Sequence, residues 1–211
     1  MAVSSERAAL GCRSHSGWAA LVAIAGPPRS PQVIDRRRIE TCDASIRGSK
    51  QPYHAAEPLE FRDAEALLQR CARSTAQLSQ RALRAALDDL RGLGYRVEYC
   101  ALTLGSGRAL PDLKSVLASH ALIHTAEGEF YRDALASAGR ECGLKLCGVK
   151  EKQLYDCGAA HFQIAPDELE RRLSALGKPI GPPWTQDQKY AALVAWMALT
   201  NYPSERWSRL K

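Results

Sequence analysis

Two apolar stretches near the start of the chain lie too close together to be joined by anything but a turn. Ala8-Ala9-Leu10-Gly11 runs into the polar knot Arg13-Ser14-His15-Ser16, and a second apolar run begins at Gly17-Trp18 and continues to Ala25. A parallel neighbour needs a crossover of a dozen or more residues, whereas an antiparallel one needs only a short turn. Residues 7–13 and 17–25 are therefore expected to be adjacent antiparallel strands. The knot is either an ordinary turn or a place where polar side chains are presented at a strand end.

The pattern after this hairpin extends the sheet. "PPRSP" at 27–31 is a turn signal, and "QVIDRRRIET" at 32–41 alternates enough to predict a third strand. Residues 42–57 have no period and are expected to be loop. From Pro58 to Leu93, apolar residues recur at three- and four-residue steps, which predicts a long helix closed by "GLGY". "RVEYCALTL" at 96–104 is a strand, followed by the loop "GSGR" at 105–108. A helix is expected over 119–142 and a strand over 144–149. Further helices are expected near 150–157 and 166–176. A final helix, 184–201, follows the Pro/Gly linker 177–183, with Thr185 as its N-cap. The early strands form a meander and the later ones alternate with helices. The expectation is an α/β fold whose mixed sheet has three antiparallel strands followed by parallel β-α-β units, with helices on both faces. Residues 1–211 read as one domain.

Composition excludes several classes. No apolar run approaches the roughly 20 residues of a membrane span, and no secretion signal is recognisable at Met1. The seven cysteines at 12, 42, 71, 100, 142, 147 and 157 contain no CxxC pair and mostly fall in apolar segments. Buried reduced thiols in a cytoplasmic protein are the expectation. A net charge of +6 allows a phosphate-bearing partner without demanding one. Arg36-Arg37-Arg38 is the densest basic cluster, and it reads either as a solvated strand end or as a nucleic-acid contact.

The element order, with "LGCRSHSGWAAL" on the first hairpin and "QDQKYAALVAWMAL" on the last helix, resembles the ribonuclease H-like superfamily. Within it the similarity is to crossover-junction (Holliday junction) resolvases. That resemblance implies a structured nucleic-acid partner, no membrane, and a divalent cofactor, Mg2+ or Mn2+; a homodimer is compatible with it. It also implies carboxylates around two cations that clamp the attacking and leaving oxygens. This chain departs from that pattern. Arg13 stands where the first-strand carboxylate is expected. The acid of the 96–104 strand is Glu98, at the wrong end. Asp187 matches one acid of the final helix, but Tyr190 and Ala191 occupy the region of the next.

Two constellations could carry chemistry. In a fold of this order the ends of the first and fourth strands lie side by side. The loops would then gather Arg13, Ser14, His15, Ser106 and Arg108 into an anion site near Asp187; the plainer reading is a turn and a glycine loop. On the helix 119–142, His120, His124, Glu127 and Tyr131 share one face at steps of four, three and four. They form either a metal site or a polar surface stripe. His54, three residues before Glu57, reads as part of a helix cap or as a further contributor to the site. Two functions are therefore carried forward. One is a nuclease with a rearranged metal site drawn from Asp187, His120, His124 and Glu127, with Asp187, Glu127 and His124 as its catalytic groups. The other is a non-catalytic relative that binds nucleic acid or another phosphate-bearing partner through its arginines.

Overall fold

The computed structural model describes residues 5–105 and 109–203. Its five-stranded sheet has the order β3-β2-β1-β4-β5. The strands are β1 (Glu6–His15), β2 (Trp18–Ala25), β3 (Gln32–Glu40), β4 (Tyr95–Leu104) and β5 (Lys145–Lys150). The first three pair antiparallel. β4 lies beside β1 and parallel to it, and β5 lies parallel to β4. This is the mixed sheet of the ribonuclease H-like α/β fold, as expected from the spacing of the apolar runs.

The helices are α1 (Pro52–Ala56), α2 (Phe61–Gly92), α3 (Leu113–Leu117), α4 (His120–Glu141), α5 (Leu154–Phe162), α6 (Pro166–Leu176) and α7 (Gln186–Leu199). α2 and α4 bury one side of the sheet, where Leu83, Ala86, Leu90, Leu135 and Ala138 meet Leu10, Cys12, Leu21, Cys100 and Leu102. α5, α6 and α7 bury the other, against Ala9, Val22, Ile24, Ala101, Cys147 and Val149. Alternation along each strand supplies both faces, because successive side chains point to opposite sides. α7 is buried from Ala191 to Leu199. Among the described residues, no helix is long and apolar enough to cross a membrane.

Two local expectations change. The polar knot is not the turn itself, because β1 continues to His15 and pairs it with Trp18, leaving Ser16-Gly17 as a two-residue hairpin turn. Gly17 takes a φ of 86°, which suits glycine at such a turn. The stretch 42–57 is not all loop, since Pro52 opens the short α1. Trp18 is half-buried. It stacks on His15 at 4.2 Å between ring centroids, with the Arg38 guanidinium 3.9 Å from the Trp18 ring.

Candidate functional site

Register decides what gathers at the end of β1. Gly11 and Arg13 share one face of the sheet, and α7 lies against that face. A Cβ on Gly11 would stand 1.9 Å from the Ala191 carbonyl oxygen. Two residues of strand cover about 6.6 Å, and four residues of helix about 6 Å. Passing from Gly11 to Arg13 therefore matches passing from Ala191 back to Asp187. The Arg13 guanidinium donates to Asp187 Oδ1. It also forks onto Glu151, with Nε donating to Oε2 at 3.0 Å and its second terminal nitrogen to Oε1 at 2.7 Å. Glu151 opens the short 3-10 turn Glu151–Gln153 directly after β5.

His15, next on the same face, places Nε2 3.0 Å from Asp187 Oδ1. Burial, and then the Arg13 charge, lowers the His15 pKa below its ordinary 6.5. The hydrogen bond from Arg13, ahead of the opposing effect of burial, lowers Glu151 below 4.5. Beside the end of β4, at Gly105, stand Glu129 and Arg132 of α4, paired at 3.4 Å. Each of these three carboxylates, Glu129, Glu151 and Asp187, thus meets a guanidinium.

The expected anion site takes a different form. Ser14 alternates to the opposite face from Arg13 and His15, so the three do not act together. Ser106 and Arg108 lie outside the described residues. Arg13 is already neutralised by two carboxylates, one of which, Glu151, is invisible to a reading of the first and last elements alone. The basic cluster on β3 is likewise engaged. Arg36 donates to the carbonyl oxygens of Ile180, Gly181, Pro182 and Pro183. Arg37 pairs with Asp35 and Asp89, and Arg38 pairs with Glu40. These are structural ties, and the three arginines stand within β3 instead of forming a solvated strand end. Glu98, at the far end of β4, pairs with Arg7 and Arg96.

The expected metal set divides in two. Asp187 belongs to the Arg13 group, whereas His120 and His124 of α4 face each other with Nε2 atoms 3.1 Å apart. His54 of α1 joins them, its ring centroid 4.7 Å from that of His124 and 5.6 Å from that of His120. Glu127 is buried behind them and accepts from His54 Nδ1 at 2.9 Å. Asp187 cannot join this set, because the register of α7 on β1 holds it at the strand end. His54 is not a cap, since α2 starts at Phe61 with Glu60 before it and no side-chain capping bond. Tyr131 is also buried, donating to the Ser49 carbonyl at 2.5 Å.

A third feature was not anticipated. Arg70, Arg73, Arg81 and Arg84 of α2 are all exposed. At 100° per residue they fall within about 80° of arc, opposite the buried face of Cys71, Thr75, Ser79, Leu83 and Ala86. The acids of α2 stand only near its ends, at Asp63, Glu65, Asp88 and Asp89. The signal was legible as a spacing of three, eight and three.

Comparison by sequence finds no match among protein-family models or among curated proteins. Comparison by structure does. The chain is similar to RuvC from Thermus thermophilus, with 13% identity and a TM-score of 0.52, covering 91% of this chain and 93% of that one. It is also similar to T. thermophilus RuvC in complex with a Holliday junction substrate, with 12% identity and a TM-score of 0.53, covering 93% and 97%. At this identity the likeness establishes the fold.

Proposed function

We propose that this protein binds structured nucleic acid and does not hydrolyse it by two-metal chemistry. The observation that carries the reading is Arg13, held between Asp187 and Glu151. The fold family implies Mg2+ or Mn2+ among carboxylates, and the residues here do not fit those ions. A guanidinium offers only donors and stays charged at any working pH. It occupies the carboxylates' acceptor oxygens and adds positive charge where dications would have to sit. Arg132 does the same for Glu129. Held in this way, the set offers no two-metal cleavage step.

Binding is supported by three things: the fold shared with a junction-bound RuvC, the net charge of +6, and the stripe Arg70, Arg73, Arg81 and Arg84. Arginines in a row on an exposed helix suit a phosphate backbone, because each can fork onto phosphate oxygens. Nucleic acid is then read through its backbone shape, and affinity falls as salt rises because each neutralised phosphate releases counterions.

Fluorescence anisotropy with a labelled four-way junction, a duplex and a single strand at two salt concentrations tests the reading. We expect salt-dependent binding, strongest for the junction, and intact DNA after incubation with Mg2+ or Mn2+. Replacing the four stripe arginines by glutamine makes the slope of log affinity against log salt shallower, by roughly 0.9 for each phosphate that is no longer neutralised. No binding to any of the three at low salt sinks the proposal, and metal-dependent cleavage sinks its non-catalytic half.

A further inference from the structure

The geometry points to a three-histidine site for a transition-metal ion, Zn2+ above all, built from His54, His120 and His124 and backed by Glu127. It lies apart from the Arg13 group and is independent of nucleic-acid binding. One ligand atom from each histidine can be chosen so that all three lie within 4.8 Å of one another. His120 and His124 are one helical turn apart on α4, and their Nε2 atoms are separated by 3.1 Å. Two nitrogens on one tetrahedral zinc, each about 2.0–2.1 Å from it, stand about 3.3–3.4 Å apart. The pair is therefore almost at the separation the ion needs. The third ring comes from a different element, α1, and is set at 68° and 85° to the other two.

The support behind the ligands is of the kind metal sites use. Glu127 accepts from the Nδ1 of His54, and at 3.3 Å also from the His54 backbone nitrogen. An imidazole that donates from Nδ1 carries its lone pair on Nε2, so the carboxylate selects the tautomer that can ligate. Glu127 is only 4% exposed, and its Oε1 is buried without a hydrogen-bond partner. Burying a carboxylate is costly, and a cation one imidazole away would offset that cost.

The donor set also selects the ion. Three neutral nitrogens suit zinc and its neighbours, whereas Mg2+ and Ca2+ require oxygen. His120 and His124 are exposed, so the fourth position opens to water. Because α1 supplies one ligand and α4 two, the ion clips these helices together.

Isothermal titration of the untagged, reduced full chain with ZnCl2 tests the site. We expect one saturable equivalent, undisturbed by excess Mg2+. The double variant His120→Ala/His124→Ala, altered only at exposed positions, loses it. Co2+ in place of Zn2+ should give the visible absorption of a tetrahedral ion in wild type and not in that variant. Glu127→Gln, which acts through His54, lowers affinity by about 10–100-fold; unchanged affinity strikes the carboxylate from the proposal. Absence of saturable zinc uptake by the folded wild type overturns the site. So does uptake undiminished in the double variant, which would assign the ion to cysteines instead.

Discussion

Arg13 shows what a single residue can decide. Its guanidinium ties β1, α7 and the start of the turn after β5 through Asp187 and Glu151. Arg13→Ala leaves two partly buried carboxylates facing each other, at a cost of about 1–3 kcal/mol for the missing charged hydrogen bonds. The effect depends on pH. Glu151 has a folded pKa depressed below 4.5, chiefly by Arg13. Its stabilisation is therefore complete above 4.5 and disappears as pH falls through the lower folded value. Urea denaturation should show wild type and Arg13→Ala well separated at neutral pH and drawing together as pH falls below 4.5; a constant gap would remove the ion pairs from the stability of the site. Arg13→Asp makes the opposite experiment. It places an acid between Asp187 and Glu151, and the variant should take up one Mn2+ more than the wild type, as electron paramagnetic resonance of free Mn2+ reads directly. The sequence marked Arg13 and Asp187 but not their partnership with Glu151. A strand pattern gives the face on which a side chain lies, and not which group from a distant loop arrives there. The same holds for His54, whose nearest polar neighbour in sequence, Glu57, suggested a cap. Its partner in space, Glu127, is on another helix.

At the scale of elements, the close seating of α7 on β1 fixes the strand-end group. Gly11 is where the helix backbone comes nearest the sheet. A Cβ there would meet the Ala191 carbonyl at 1.9 Å and the Ala195 Cβ at 2.9 Å. A backbone carbonyl cannot rotate away as a flexible side chain can, so Gly11→Ala must lift α7. Overpacking of this kind costs about 1–3 kcal/mol or more, and the lift would also carry Asp187 off Arg13. The urea midpoint should fall at least as far as for Arg13→Ala; an unchanged midpoint contradicts the seating. Long elements were legible because each repeats its own signal: apolar runs for β1, β2, β4 and β5, and a 3.6-residue period along α2. Thr185 marked the start of α7, and the structure shows that Gln188 completes a capping box with it. α1 and α3 have five residues each, too few for any period to register. Their only signals were Pro52 at the first turn and Asp112, which accepts from the Ser115 backbone nitrogen.

The whole molecule consists of two helical layers on one sheet, and its thiols report on both. All seven cysteines are free. Cys12 and Cys100 lie in the core beneath α2 and α4, Cys71 lies where α1 and α2 meet, and Cys147 lies on the α7 side. Only the thiolate reacts with a disulfide probe. The neighbouring Cys12 thiol and burial push Cys100 well up, burial pushes Cys147 up to about 12, and burial raises Cys71 as well. Native protein should therefore react quickly at Cys42 and Cys157 at most, more slowly at Cys142, whose thiol burial also raises, and most slowly at the other four. The rate of the slow phase measures how often the core opens. β1 and β4 belong to both layers, since Ala9 and Ala101 face one helix set while Leu10 and Cys100 face the other. One layer cannot be stripped away without exposing the strands that the other needs, so the chain should open as one cooperative unit. Mass spectrometry after timed labelling should then find Cys100 and Cys147 modified at the same rate, with urea accelerating both alike. Labelling of Cys147 well ahead of Cys100 would show that the α5, α6 and α7 layer opens on its own, and the chain would have to be treated as two units.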